Sequence, residues 1–393
     1  MSDAPVLVLN SGSSSLKFGV FVAQRNEIRL LYRGAVEEIA SPKATVWLRS
    51  TTGDSLSDEG QAVPAHADAL RLVAAKLPSL RLPALAAVGH RIVHGGPALR
   101  EHQKITPRVL EQLEAASEYA PLHVPAALAL IREAQHLFPN VPQFACFDTA
   151  FHRTLPEAAA RFPLPEKFWD SGVRRYGFHG LSCESILHSV GATPPPRVIV
   201  AHLGNGASIT AIANGSSVDT TMGLSPTGGI IMGTRSGDLD PGVLLHILRV
   251  TGNNVAELED VLDRQSGLLG ISGISRDMRQ LHQASGNPRA RLALEMFARS
   301  AKKAIASFVA VLGGLDLMVF TGGIGEHDPA VRAEICKGLQ SFGLHLEEQA
   351  NQRNLENIGS AESRVLVRVL PSEEEIQIAR HVGRLLEAAA KPN

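Results

Sequence analysis

Residues 6–21 read VLVLNSGSSSLKFGVF, and residues 198–212 read VIVAHLGNGASITAI. Both follow one plan: an apolar strand, a turn of small polar residues, and a second apolar strand. Gly204 lies 192 residues after Gly12 (204 − 12) in a chain of 393. A period that long predicts a duplicated domain, because solenoid repeats run only to roughly 20–50 residues. The length itself asks for two domains rather than one simple core. The boundary is expected near Ala150, giving domains at 1–150 and 151–375, with a C-terminal helix over 376–393 packing back on the first.

Strands and helices alternate along the chain, which predicts an α/β architecture. Val6–Leu9 and Leu16–Val22 form a hairpin. Leu70, Val73, Ala74 and Leu77 share one helical face. Thr106-Pro107 marks a helix start, with proline at the first helical position. Gln143–Asp148 reads as a strand ending in an acid. Ala293, Phe297, Ala301, Ile305, Phe308 and Leu312 are spaced as the buried face of a long helix, which Gly313-Gly314 closes. Leu317–Thr321 is the next strand. The last helix places Ile378, Val382, Leu385 and Leu386 on one side.

Composition removes several function classes. A formal net charge of −1 supplies no field that would gather nucleic acid or an anionic membrane. The longest apolar stretch, Ala304–Phe320, contains Gly313, Gly314 and Asp316, so it reads as a helix and a strand rather than a membrane span. Cys146, Cys183 and Cys336 are widely spaced, with no C-x-x-C, which predicts neither a disulfide framework nor a zinc site. A reducing compartment is expected, and the N-terminus lacks the basic region of a signal peptide.

Small residues let a backbone approach an anion, and their N–H groups and hydroxyls then point at it. Either turn alone reads as a tight hairpin. The pair, with Lys17 just beyond the first, points to a phosphate grip. The chain has no P-loop and no G-x-G-x-x-G, so a Rossmann site has no support. A third glycine-rich segment, FTGGIGEH from Phe320, follows a buried strand and offers either a flat surface for a base or a plain strand-to-helix turn. GHRIVHGG puts Arg91 inside an apolar strand, where an unpaired guanidinium is costly. MGTRSGDLDPG sets Arg235 among small residues, and RRYGFHGLS sets His179 between an aromatic and a glycine. Singly, such residues are ordinary salt-bridged or core groups. Together they suit a transferring phosphoryl group, whose transfer is catalysed mainly by positioning and by countering charge on its oxygens. A magnesium ion then needs one or two carboxylates, for which Asp148 and the Glu373-Glu374-Glu375 run are candidates.

At this point the sequence resembles the acetate kinase family. The motifs that carry the resemblance are NSGSSSLKF (10–18), GHRIVHGG (89–96), FDTAFH (147–152), YGFHG (176–180), HLGNGAS (202–208), MGTRSGDLDPG (232–242) and TGGIGE (321–326). They occur in family order over nearly the whole chain. The resemblance implies two duplicated ribonuclease-H-like domains of the actin and hexokinase type, with an active-site cleft between them. It implies ATP and ADP as co-substrates, with Mg2+, or Mn2+ in its place. It also implies a short-chain carboxylate as acceptor, a homodimer and a cytoplasmic location, with no nucleic-acid or membrane partner.

Residue by residue, the resemblance implies that Asn10 and Glu374 serve the metal. Ser13, Ser15 and Lys17 line the phosphate site, and His202, Leu203, Gly204, Asn205 and Gly206 contact the nucleotide phosphates. Asp277, Met278, Arg279 and the run Gly322, Gly323, Ile324, Gly325 and Glu326 frame the nucleoside. Arg91 holds the carboxylate, while His179 and Arg235 stabilise the transition state. Val93, Leu122 and Pro226 form the pocket for the substrate methyl group. A carboxylate is already ionised near neutral pH, so Asp148 is expected to orient magnesium and its waters rather than act as a base.

Four places depart from the commonest family pattern: Val124, Thr227-Gly228, Cys183 and His327. The first two adjoin the expected acyl pocket and bear on chain length. His327 adjoins the nucleoside motif. The expected reaction is phosphorylation of acetate by ATP. Propionate or butyrate is the alternative acceptor, and a non-enzymatic nucleotide switch on an actin-like fold is the rival of another class.

Overall fold

A computed structural model describes residues 4–390 apart from residues 13, 25, 26, 54, 81 and 122, and gives the backbone alone for 23, 24, 56–59, 61 and 390. The chain divides into two compact units. One comprises Met1–Ala150 with Glu373–Asn393, the other Phe151–Ser372.

The first unit is built on a sheet of β1 (Pro5–Ser11), β2 (Leu16–Gln24), β3 (Glu27–Glu37), β4 (Ala44–Ser50), β5 (Ser55–Gln61), β6 (Ala87–Ile92), β7 (Gln103–Lys104) and β8 (Gln143–Phe147). Their order is β5-β4-β3-β2-β1-β6-β8-β7. The hairpin β1–β2 and its continuation β3 are antiparallel, whereas β1, β6 and β8 run parallel. Helix α1 (His66–Lys76) follows β5, and α2 (Pro107–Ala116) and α3 (Val124–Leu137) lie between β7 and β8. Helix α1 buries Leu70 and Val73 of its expected face. Helix α2 starts at Pro107, with the Thr106 hydroxyl accepting from the Val109 N–H.

The C-terminal helix, Glu374–Ala390, belongs to this unit and lies over β1, β2 and β6. Ile378, Ala379 and Val382 are buried. The approach explains a glycine inside a strand. A Cβ on Gly89 would stand 2.8 Å from Val382 Cγ2 and 2.9 Å from Ile378 Cγ2, so a side chain there would lift the helix off the sheet.

The second unit is built on β9 (Arg197–Leu203), β10 (Ala207–Ala213), β11 (Ser216–Thr220), β12 (Leu317–Thr321) and β13 (Leu366–Val369), in the order β11-β10-β9-β12-β13. Again the first three strands are antiparallel neighbours, and β12 runs parallel to β9 and β13. This is the order of β3-β2-β1-β6-β8, so the five central strands of both units share one ribonuclease-H-like topology. The repeat slips by one residue at its turn. The hairpins close at Ser11↔Leu16 and Leu203↔Ala207, which makes the offset 192 before the turn (203 − 11) and 191 after it (207 − 16).

Seven helices of the second unit matter for the site: α4 (Gly180–Val190), α5 (Pro241–Val250), α6 (Val255–Asp260), α7 (Met278–Gln283), α8 (Pro288–Leu312), α9 (Gly322–His327) and α10 (Pro329–Cys336). Helix α8 buries Ala293, Phe297, Ala301, Ile305 and Phe308. It ends at Gly313, whose φ of 68° lets the chain leave in the left-handed conformation. The three cysteines are buried and stand outside any disulfide. No helix among the described residues is long and apolar enough to cross a membrane.

Candidate active site

The site residues expected from the sequence fall into two groups, one on each unit. In the first unit they meet at the carboxyl ends of parallel strands. Arg91 stands near the end of β6, Asp148 follows β8, and Asn10 lies near the end of β1. Arg91 grips Asp148 with two bonds, Nε to Oδ1 at 3.0 Å and Nη2 to Oδ2 at 2.6 Å. Its Nη1 donates to Asn10 Oδ1 at 3.1 Å. Asn10 Nδ2 in turn donates to Glu374 Oε2 at 3.3 Å and to Glu375 Oε1 at 2.7 Å. Glu374 Oε2 also stands 3.5 Å from Arg91 Nε.

The costly guanidinium is therefore paired, and the cluster holds three carboxylates against one cation. Burial opposes the charge on Arg91, but Asp148 and then Glu374 outweigh it and raise its pKa. Burial pushes Asp148 up to about 6, against the pull of Arg91, because its own side chain is only 1% exposed. Glu375 entered the sequence reading only as part of the Glu373-Glu374-Glu375 run of candidate magnesium carboxylates, with Glu374 alone singled out by the resemblance. The only hint was its place in the Glu373–Glu375 run, and a run of acids opening a helix is equally what the helix dipole favours.

Lys17 is the cross-strand partner of Asn10, with an exposed side chain. The turn between them is closed by the Gly12 N–H donating to Ser15 O at 2.8 Å. Val93 sits just past β6, half-buried. Ser13 and Leu122 lie outside the described residues. Val124 is buried at the start of α3.

In the second unit, His179 precedes α4 with φ 57° and ψ 27°. A non-glycine residue held there stores roughly 1–3 kcal/mol and points to a functional constraint. Its neighbour Phe178 is fixed by His152, whose Nε2 donates to Phe178 O at 2.9 Å and whose Nδ1 lies 2.9 Å from Ser217 Oγ. His179 Nδ1 is 2.9 Å from Ser208 Oγ, and its ring stacks on His202 with centroids 4.1 Å apart.

Beyond His202, Gly204 to Gly206 form the second turn. A Cβ on Gly206 would stand 3.3 Å from His179 Nε2 and 3.6 Å from Arg235 Nη1, so both tips converge on the open face of that glycine. The loop carrying Arg235 closes onto the turn, since Gly233 N donates to Asn205 O at 3.1 Å. Arg235 Nη1 also donates to Pro226 O at 3.3 Å, which brings the buried Pro226 to the same place. Thr227 faces away to Asp263, donating from Oγ1 to Oδ1.

The segment 322–326 forms the start of α9, a strand-to-helix turn after β12. Gly322 has φ 76°, and a Cβ on it would meet Leu203 O at 2.7 Å, which packs this segment directly against the end of β9. The Asp277–Arg279 segment caps α7. Asp277 accepts the Arg279 N–H and guanidinium, and these bonds hold its carboxyl down at about 2. Helix α7 is tied to the residue after α9 by His282 Nε2 and Asp328 Oδ2, 2.8 Å apart. Cys183 is buried within α4. The sequence reading missed Ser182 and Ser208, although Ser208 lies inside the quoted HLGNGAS motif.

The acetokinase family matches residues 5–380. An acetate kinase from Deinococcus radiodurans is 44% identical over 390 residues, covering 96% of this chain and 97% of that protein. A propionate kinase from Citrobacter rodentium is 40% identical over 392 residues, covering 97% and 96%. Among solved structures, an acetate kinase from Porphyromonas gingivalis superposes with a TM-score of 0.85 at 36% identity, covering 98% of this chain and all of that one. By the match along its length and the fold of both units, this chain belongs to the acetokinase family.

Proposed function

We propose that this chain is an acetate kinase that reversibly transfers the γ-phosphoryl group of ATP to acetate, giving ADP and acetyl phosphate. The observation that carries this reading is the convergence of His179 Nε2 and Arg235 Nη1 on the open face of Gly206, within 3.6 Å of where a side chain would begin. A hydrogen-bonding and a cationic tip beside a side-chain-poor turn are what a phosphoryl group in transfer requires.

Acetate enters ionised, so no base is needed. A carboxylate oxygen attacks the γ-phosphorus in line, the bond to the β-phosphate oxygen breaks, and its electron pair leaves with ADP. No proton is transferred. Arg235 and His179 counter the charge on the transferring oxygens. Lys17, Ser13, Ser15 and the turn His202–Gly206 hold the phosphates. Asp277–Arg279 and Gly322–Glu326 frame the nucleoside. Arg91 holds the acceptor carboxylate. Among the described residues it commits three of its five N–H bonds to Asp148 and Asn10, leaving two for a substrate. Val93, Leu122 and Pro226 line the methyl pocket.

The donor set at Asp148, Glu374 and Glu375 fits magnesium, which takes one or two carboxylates and keeps several waters. Three carboxylates against one guanidinium leave an excess of negative charge that a divalent cation balances, and Mn2+ suits the same oxygens. Glu374 and Asn10 would hold the ion, and Asp148 its waters. Bound there, it would neutralise charge on the nucleotide's terminal phosphates.

Propionate is the second reading, favoured by the propionate kinase at 40% identity. One methylene is worth only about 1–3 kcal/mol of discrimination. Both readings are tested by trapping acyl phosphate with hydroxylamine in the presence of ATP and acetate, propionate or butyrate. Acetyl hydroxamate formed with the highest kcat/KM supports the acetate assignment. ADP without any hydroxamate supports a nucleotide switch instead.

A cytoplasmic homodimer completes the proposal. Three buried thiols outside any disulfide suit a reducing compartment. Helix α5 buries none of its residues although six of its ten are Val, Leu or Ile. With Leu245 52%, Val250 67% and Val255 59% exposed, a second copy is the expected cover. Light scattering at twice the chain mass would support this, and a monomer would reject it.

A further inference from the structure

In the second unit a run of hydrogen bonds begins at its last residue and ends at a histidine facing the phosphate turn. The Ser372 N–H donates to Glu326 Oε1 at 3.1 Å, and the same oxygen accepts the Gly322 N–H at 3.0 Å. Ser372 Oγ donates to Ser182 Oγ at 2.9 Å. Ser182 Oγ lies 2.8 Å from His202 Nδ1. Ser182 is fully buried, so water does not compete for these bonds.

A serine hydroxyl carries one proton. The Ser182 oxygen accepts from Ser372, and among the described residues His202 Nδ1 is its one other hydrogen-bond partner, so its own proton is the one offered to His202. Nδ1 of His202 is then an acceptor, and the proton of the neutral ring sits on Nε2. That nitrogen lies 3.8 Å from the place a Cβ on Gly204 would occupy, at the open side of the turn. The ring itself is held by stacking on His179, the two planes inclined by 18°.

We propose that Ser372 and Ser182 are positioning residues that lock His202 in the Nε2–H tautomer, so that it donates to a nucleotide phosphate oxygen. Glu326 anchors the arrangement by tying Ser372 to Gly322. The inference rests on the reading of this turn as the triphosphate site. It deepens that reading by naming the groups that aim the donor, which themselves touch no substrate.

The test is nitrogen NMR of the whole protein labelled at histidine, with the His202 signals assigned by their loss in His202→Gln. An unprotonated Nδ1 and a protonated Nε2 are expected in the native chain. Ser182→Ala should mix the tautomers and Ser182→Thr should restore the native one. The kinetic arm uses Ser372→Ala, at a half-buried position and so less prone to misfold. KM for ATP should rise about fivefold, the loss of one hydrogen bond, with KM for acetate unchanged. A protonated Nδ1 in the native protein, or an unchanged KM for ATP in both alanine variants, overturns the proposal. The tautomer is read without substrate, so a chain that makes no acyl phosphate refutes the functional reading separately.

Discussion

Two buried histidines weaken this protein in acid. His90, in the first unit, donates from Nε2 to Gln143 Oε1 at 2.6 Å, while its Nδ1 is buried without a partner among the described residues. His152, in the second unit, is held between Phe178 O and Ser217 Oγ. Burial lowers both to about 4. Each therefore binds fewer protons folded than unfolded between pH 6.5 and 4. The stability each histidine contributes is complete above about pH 6.5 and is lost as the pH falls toward 4. At about 1.4 kcal/mol per pKa unit, lowering the pH from 7.5 to 4.5 removes roughly 2–3 kcal/mol through each histidine, a loss that Asp148, raised to about 6, opposes in the first unit. That is a large fraction of the 5–15 kcal/mol typical of a folded domain.

The two tryptophans allow the units to be followed one at a time, since Trp47 lies in β4 of the first and Trp169 in the second. Urea unfolding by fluorescence, in Trp47→Phe and Trp169→Phe backgrounds, would be recorded from pH 7.5 to 4.5. His90→Gln should remove about 2–3 kcal/mol of acid-induced loss from the change seen by Trp47, and His152→Gln should do the same for Trp169. Wild-type and variant curves running parallel would refute the reasoning, because they would mean that the native protein accepts these protons near pH 6.5.

Three further outcomes follow from the geometry. Arg235→Ala should lower kcat by on the order of 10³-fold with little change in melting temperature, and nearly normal turnover would remove Arg235 from the mechanism. Asp148→Asn should raise the magnesium concentration needed for half-maximal activity; an unchanged requirement counts against its placing of the ion's waters. Gly89→Ala should destabilise the first unit by about 1–3 kcal/mol, since its Cβ would stand 2.8 Å from Val382 Cγ2, and a Trp47 transition at the native urea concentration would contradict that packing.

Much of the framework was legible in the sequence, because the signals that define an element are local. Alternating apolar runs gave the hairpins, Pro107 the start of α2 and Gly313 the end of α8, each a matter of backbone geometry within a few residues. The repeated turn announced two equivalent units, and an arginine in an apolar strand announced a buried partner. What the pattern lacked was distance. Asn10 meets Glu375 across 365 residues, and Ser182 meets Ser372 across 190. Neither pairing has any periodicity to betray it. Nor did the motif show that one turn is a residue shorter than the other, which only strand register reveals. Side-chain type states what a residue can bind. Which donor meets which acceptor is decided when helices and strands distant in the chain pack together, because desolvation then makes an unpaired polar group costly and selects the pairs that survive.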